Sequence, residues 1–141
     1  MPCISGTFDS KIGILLEITV SPAQSDHGQQ SASAPRVASR GLADTGASRT
    51  CISTGLAQKL NLSAKGKINL TGATGQKAVN TYFVDFELAF GSGMAAKIKD
   101  LLVLEFDGFG DGSNFEVLIG RDVLFQGVFT TAFTQHFTFS L

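Results

Sequence analysis

Residues 42–53, LADTGASRTCIS, decide how this chain is read. Residues 41–45 have the character of a short buried strand that ends at Asp44, and Gly46 allows a tight turn directly after it. An Asp beside a Gly is most often a turn residue held by local hydrogen bonds. Here it follows apolar Leu42 and Ala43, at a strand end where an ionised carboxylate is costly unless it is paired, hydrogen-bonded or protonated. That position suits chemistry better than folding alone. Beyond it, Ile52, Leu56 and Leu60 recur four apart, and Ser53 or Thr54 can cap a helix N-terminus, so 53–60 is expected to be a short helix.

Moving outward, the same pattern of apolar strand, Gly and helical turn returns at Leu118-Ile119-Gly120, followed by RDVLFQ up to residue 126. This echo suggests a duplicated unit. Between the two copies, residues 67–90 alternate apolar and polar positions on either side of Gly72-Ala73-Thr74-Gly75, which reads as a β-hairpin with a glycine-rich tip. Gly91 to Gly93 is a turn, 97–106 a strand, 106–114 a Gly/Asp loop and 115–119 a buried strand. At the start, 12–20 is β-branched and apolar and reads as a strand, whereas 21–40 is rich in Ser, Ala, Gln and Pro without period and reads as a flexible inserted loop. The tail alternates strictly from His136 to Leu141, a half-buried strand. The fold class is therefore all-β with two short helices, and the 141 residues suit one domain, 1–141.

Composition narrows the functional classes. A net charge of −1 gives no reason to expect nucleic acid or an anionic membrane as partner. Two cysteines, Cys3 and Cys51, make no disulfide framework, and with His27 and His136 they have no zinc-ligand spacing, so no metal or cofactor is expected. No leader or membrane-length apolar stretch is evident, which suggests a soluble, cytoplasmic protein. The loop from Asp107 has Phe109 and Leu118 where a calcium loop needs oxygen ligands. Gly72 to Gly75 lacks the Gly-Lys-Ser/Thr ending of a phosphate loop. A thiol protease built on Cys51 and His136 is disfavoured because Cys51 sits among apolar neighbours, and Tyr82 reads as core.

ADTGASRTCIS, the hairpin TGATGQ and VLIGRDVL, in that order, resemble the retropepsin-like aspartic proteases, and the departures below favour a cellular or bacterial relative over a viral one. The resemblance covers residues 10–141 apart from 21–40 and implies a closed, pseudo-duplicated barrel with a flap hairpin. It makes Asp44 the catalytic carboxylate and Thr45 the residue whose hydroxyl braces the two active-site loops across a dimer axis. Gly46 then admits backbone close to substrate, Ala47 and Ser48 line the floor, and Gly72, Ala73, Thr74 and Gly75 form the flap tip. Leu118, Ile119 and Gly120 match the second loop beneath the catalytic one, and Arg121 and Asp122 open the C-terminal helix. Because peptide hydrolysis by this chemistry needs two carboxylates and the chain has one Asp-Thr-Gly, a homodimer acting on peptide or protein substrates is implied. The alternative is a catalytically silent peptide-binding or assembly module on the same fold.

Three features depart from the family pattern. The 21–40 segment is long. Ser48 stands where many viral members carry an acidic residue, which leaves Asp122 as the expected substitute partner for Arg121. The C-terminal stretch 129–141 is extended, so the dimer sheet is expected to be built differently.

Overall fold

The computed structural model describes residues 2–24, 34–91, 93–110 and 112–141. Ten strands and two short helices follow in the order β1 (Cys3–Thr7), β2 (Leu15–Pro22), β3 (Val37–Ala43), β4 (Cys51–Ile52), α1 (Thr54–Lys59), β5 (Gly66–Gly72), β6 (Gly75–Ala89), β7 (Ala95–Glu105), β8 (Val117–Ile119), α2 (Arg121–Leu124), β9 (Val128–Ala132) and β10 (His136–Ser140). The neighbours run β2-β3-β8-β4-β7-β6, and β6 also pairs with β2, which closes a six-stranded mixed barrel. Strand β5 lies outside the ring and pairs with β6 alone from Gly66↔Thr81 to Gly72↔Gly75. The expected hairpin and its glycine tip are therefore present. The barrel interior is filled by alternating positions of its strands: Leu16, Ile18 and Val20 of β2, then Val84, Phe86 and Leu88 of β6, with Ile52, Val103 and Ile119. Each such side chain contributes about 1.5–3 kcal/mol by leaving water. Leu56 and Leu60 of the α1 region and Val123 and Leu124 of α2 are buried in the same core.

A second, three-stranded sheet has the order β1-β10-β9. Phe137 and Phe139 of β10 face the core, and Phe139 meets Phe129 edge-on at a centroid distance of 6.0 Å. Neither β1 nor β9 is expected from sequence. CISGT carries a Gly, and VFTTA has no polar-apolar alternation, since both strands lie on a sheet whose central member does the burying.

Three boundaries differ from expectation. The first apolar strand starts at Leu15, because residues 9–13 form a turn in which Gly13 takes φ +97. The segment 21–40 is not all loop: Ser21 and Pro22 pair with Asp85 and Val84, and Val37 to Arg40 pair with Val20 to Glu17. Backbone pairing between neighbouring strands extends past the point where apolar side chains stop. The middle of that expected loop, 25–33, lies outside the described residues. Finally, the strand before Asp44 ends at Ala43 and is followed by β4, so only the second copy of the echo passes straight from strand to helix.

Candidate active site

Strands β3 and β8 run parallel, with Leu42 opposite Leu118 and Ala43 opposite Ile119. The turn after β3 and the helix after β8 are thereby brought to one end of the barrel. Gly41 is buried between them, where a Cβ would stand 2.5 Å from Ile119 Cδ1. The Asp44 N–H donates to the Ile119 carbonyl at 2.9 Å, extending the ladder by one residue. The chain then turns, and the Ala47 N–H donates back to the Asp44 carbonyl at 3.2 Å. Gly46 N–H donates to Asp44 Oδ1 at 2.8 Å, which fixes the carboxylate's rotation. A side chain at Gly46 would bring its Cβ within 3.1 Å of that same oxygen. Asp44 and Ala47 are half-buried, while Thr45, Gly46 and Ser48 are exposed. The carboxylate is thus held by the backbone yet open to the outside.

The floor beneath this turn comes from the second copy of the motif. Arg121 N–H donates to the Ala47 carbonyl, and its Nη1 donates to the Thr45 carbonyl, both at 2.9 Å. Gly120 is buried, and a Cβ there would meet the Arg49 carbonyl carbon at 2.6 Å, so the loops approach backbone to backbone. Its N–H donates to Thr50 Oγ1 at 3.1 Å. Thr50 is fully buried, and its hydroxyl and N–H donate to the two Asp122 oxygens at 2.7 and 2.9 Å. Asp122 therefore holds Thr50 and does not replace the missing acidic partner of Arg121, which uses the Thr45 carbonyl instead. The reason is geometric: Asp122 lies in the first turn of α2 against Thr50, the residue just before β4, while the Arg121 side chain reaches the turn above it. Thr50 went unrecognised in the sequence; a β-branched hydroxyl residue just before an apolar pair is its only trace.

The flap candidates stand apart from this cluster on the β5–β6 hairpin. Residues 71–78 are exposed, and Gly75 takes φ +119 with open space on its Cβ side. Where β6 joins the barrel, Asn80 Nδ2 and Tyr82 Oη both donate to Glu105 Oε2, at 2.8 and 2.9 Å. Burial alone would raise the Glu105 carboxyl, but the hydrogen bonds from Asn80, Thr54 and Tyr82 hold it below its usual range. Tyr82, as expected, is core, with its hydroxyl anchored at the root of the β5–β6 hairpin and its ionisation pushed up by burial and then by Glu105.

Cys51 is buried, and burial followed by the Asp122 and Asp44 charges pushes its thiol up to about 11. A thiol so placed is a poor nucleophile at neutral pH. His136 lies exposed on β10 in the other sheet, with Nδ1 beside Thr134. Among the described residues no group of three or more His, Cys, Asp or Glu could hold a metal ion, and no helix is long and apolar enough to cross a membrane.

With this geometry in hand, the chain can be set beside known proteins. The sequence profile of the aspartyl protease family matches residues 16–123. Among solved structures, the retropepsin-like aspartic protease from Rickettsia conorii is similar over 97% of this chain and 89% of that one, at 16% identity and a TM-score of 0.62. The simian foamy virus (mac) protease covers 77% of this chain and 89% of its own at 15% identity and TM-score 0.44. The retroviral protease-like domain of Ddi1 from Leishmania major covers 85% and 82% at 13% identity and TM-score 0.46. The likeness of fold rests on the Rickettsia structure. No curated protein matches the sequence.

Proposed function

The chain belongs to the aspartyl protease family and has the retropepsin-like fold, and from that premise we propose that it is an aspartic endopeptidase whose site is completed by a second copy of itself. The whole of 1–141 acts as one domain. Two Asp44 carboxylates, one from each subunit, hold a water between them. They share one proton, because two such groups about 3 Å apart do not both ionise. The unprotonated carboxylate takes a proton from the water as it attacks the scissile carbonyl, and the protonated one donates toward the carbonyl oxygen. Gly46 leaves room for the peptide backbone, and Ala47 and Ser48 form the floor beside it. Gly72 to Gly75 close over the peptide and exclude water. Leu118, Ile119, Gly120 and Arg121 support the turn from below, and Asp122 does so through Thr50.

The observation that carries this reading is the Asp44 turn itself. It is open to solvent, its carboxylate is oriented by the Gly46 N–H, and its peptide groups are clamped by Ile119 and Arg121. The motif occurs once in the sequence, so one subunit supplies half a site. A silent peptide-binding module would have no use for an open, pre-oriented carboxylate. The test is Asp44→Asn assayed on an unfolded protein substrate, with a statine-type transition-state analogue on the wild type. Asn keeps the acceptor for Gly46 but cannot serve as base. The variant should fold, dimerise and lose hydrolysis, and the analogue should inhibit the wild type. Turnover that survives in pure Asp44→Asn protein would put the chemistry elsewhere.

A further inference from the structure

We propose that Arg49, together with Lys77 on the β5–β6 hairpin, forms a subsite for an acidic side chain of the substrate, so that the protease selects peptides carrying Glu close to the bond it cuts. This inference rests on the homodimeric endopeptidase reading above and adds the chemical class of the substrate.

The subsite has an apolar base. Cys51, Val79 and Leu104 are buried together, and Leu70 and Leu118 pack half-buried against them. Cys51 of β4 stands opposite Leu118 of β8, which stands opposite Leu42 of β3, so one row of side chains crosses three strands toward the Asp44 turn. Two strand spacings of about 4.8 Å put this patch on the order of 10 Å from that turn, the reach of about three residues of an extended peptide. Asp44 is also near enough for its charge to act on the Cys51 thiol. Leu70 and Val79 come from β5 and β6, so the patch lies where the hairpin meets the floor of the site.

Two cations border it. Lys77 is directly opposite Leu70 and two residues before Val79, and both relations put it on the hairpin face that meets Cys51. Its ion pair with Asp107, at 3.6 Å between side chains 71% and 67% exposed, holds it weakly. Arg49 lies two residues before Cys51. Its neighbour Thr50 turns inward to Asp122, whereas Arg49 is exposed and its guanidinium makes no hydrogen bond or ion pair among the described residues. The acids nearby are engaged: Glu105 by Asn80 and Tyr82, Asp122 by Thr50. Residues 45–53 and 61–84 contain Arg49, Lys65, Lys67 and Lys77 and no Asp or Glu. Floor and hairpin therefore offer positive charge to a peptide held between them.

A Glu side chain suits this surface. Its two methylenes cover the apolar base, and its carboxylate accepts from the guanidinium fork of Arg49. In a two-fold dimer each peptide meets both copies of Arg49, so acidic residues are selected on both sides of the scissile bond.

The test is cleavage of a random peptide mixture by the wild-type protein, with the cut ends read by mass spectrometry. Glu and Asp should be enriched within about three residues of the cut on both sides. Two matched peptides, differing only as Glu or Gln at the enriched position, should differ about tenfold in kcat/KM at about pH 6, where the peptide Glu is ionised. The ratio should shrink in about 1 M salt. Arg49→Gln should bring it close to one, and Arg49→Glu should favour a Lys peptide over the Glu peptide. Cleavage without enrichment of acids, or an Arg49→Gln protein that keeps the wild-type ratio, would overturn the subsite and leave the protease reading standing. A wild type that cuts none of the peptides would overturn both. If Arg49→Gln fails to fold, the wild-type ratio and its salt dependence decide.

Discussion

Replacing Thr50 by Val removes one hydroxyl and changes the volume little, yet it should be among the most damaging single substitutions near the site. The Thr50 side chain is fully buried. Its Oγ1 donates to Asp122 at 2.7 Å and accepts from the Gly120 N–H at 3.1 Å. Loss of a hydrogen bond to a charged group costs about 1.5–3 kcal/mol, and a buried N–H left without a partner costs about 1–3 kcal/mol. The two share one atom and do not simply add, so about 3 kcal/mol is the expected loss. For a domain of this size that corresponds to a fall in melting temperature of roughly 10 °C. Thr50→Ser is the control, since it keeps both hydrogen bonds and gives up only a methyl group, about 1 kcal/mol. The assay is urea unfolding followed by circular dichroism, with melting in parallel. Because the lost contacts tie the helix after Gly120 to the strand leading out of the Asp44 turn, proteolytic activity should fall with stability. A Thr50→Val protein within about 1 kcal/mol of wild type, or no worse than Thr50→Ser, would refute the view that this clamp holds the two loops together.

Other consequences can be checked with similar ease. Gly120→Ala would set its Cβ 2.6 Å from the Arg49 carbonyl carbon, and because backbone cannot yield as a side chain can, unfolding in urea should shift by about 1–3 kcal/mol or more. With the Cys51 thiol raised from 9.0 to about 11, the unfolded chain ionises first; the stability it contributes is whole below pH 9.0 and is lost as pH rises toward about 11. At pH 8 iodoacetamide should label Cys3 and spare Cys51 until the protein unfolds, and equal labelling of both in the native state would contradict this burial. Replacing all of 21–40 by a short Gly-Ser linker should abolish folding, because Ser21, Pro22 and Val37 to Arg40 are rungs of the closed barrel; a folded product by circular dichroism would show that the ring closes without them.

The parts of the fold that were legible in the sequence are those where local pattern and tertiary environment agree. The β5–β6 hairpin is marked by its Gly72 to Gly75 tip, and α1 by the Ser53 cap, whose Oγ accepts from the Leu56 N–H at 3.0 Å. Asp44 stands out because a carboxylate after an apolar strand needs a reason. What stayed hidden depends on partners far away in the chain. Strand β1 is defined by pairing to β10 across the length of the molecule, and CISGT has no signal of its own; β9 pairs with β10 in a local hairpin, but VFTTA shows no alternation that would mark it. The ends of 21–40 look like loop because Ser21, Ala38 and Arg40 lie on the outer face of a sheet whose hydrogen bonds no side chain reveals. Asp122 was legible as a polar residue opening a helix, but not as the partner of Thr50, 72 positions away. Arg121, lacking an acid at Ser48, found a backbone carbonyl, an acceptor that every residue carries and that no sequence pattern marks.

The claim that matters most is that each active site is shared, and mixing subunits tests it most directly. Wild-type protein is combined with increasing amounts of Asp44→Asn protein, subunits are allowed to exchange, and hydrolysis is measured at constant total protein. If the two Asp44 carboxylates of a dimer form one site, mixed dimers are inactive and activity follows the square of the wild-type fraction, about one quarter at an equal mixture. Activity that falls only in proportion to the wild-type fraction, about one half at the same point, would mean that a single subunit carries a complete site and would contradict the account.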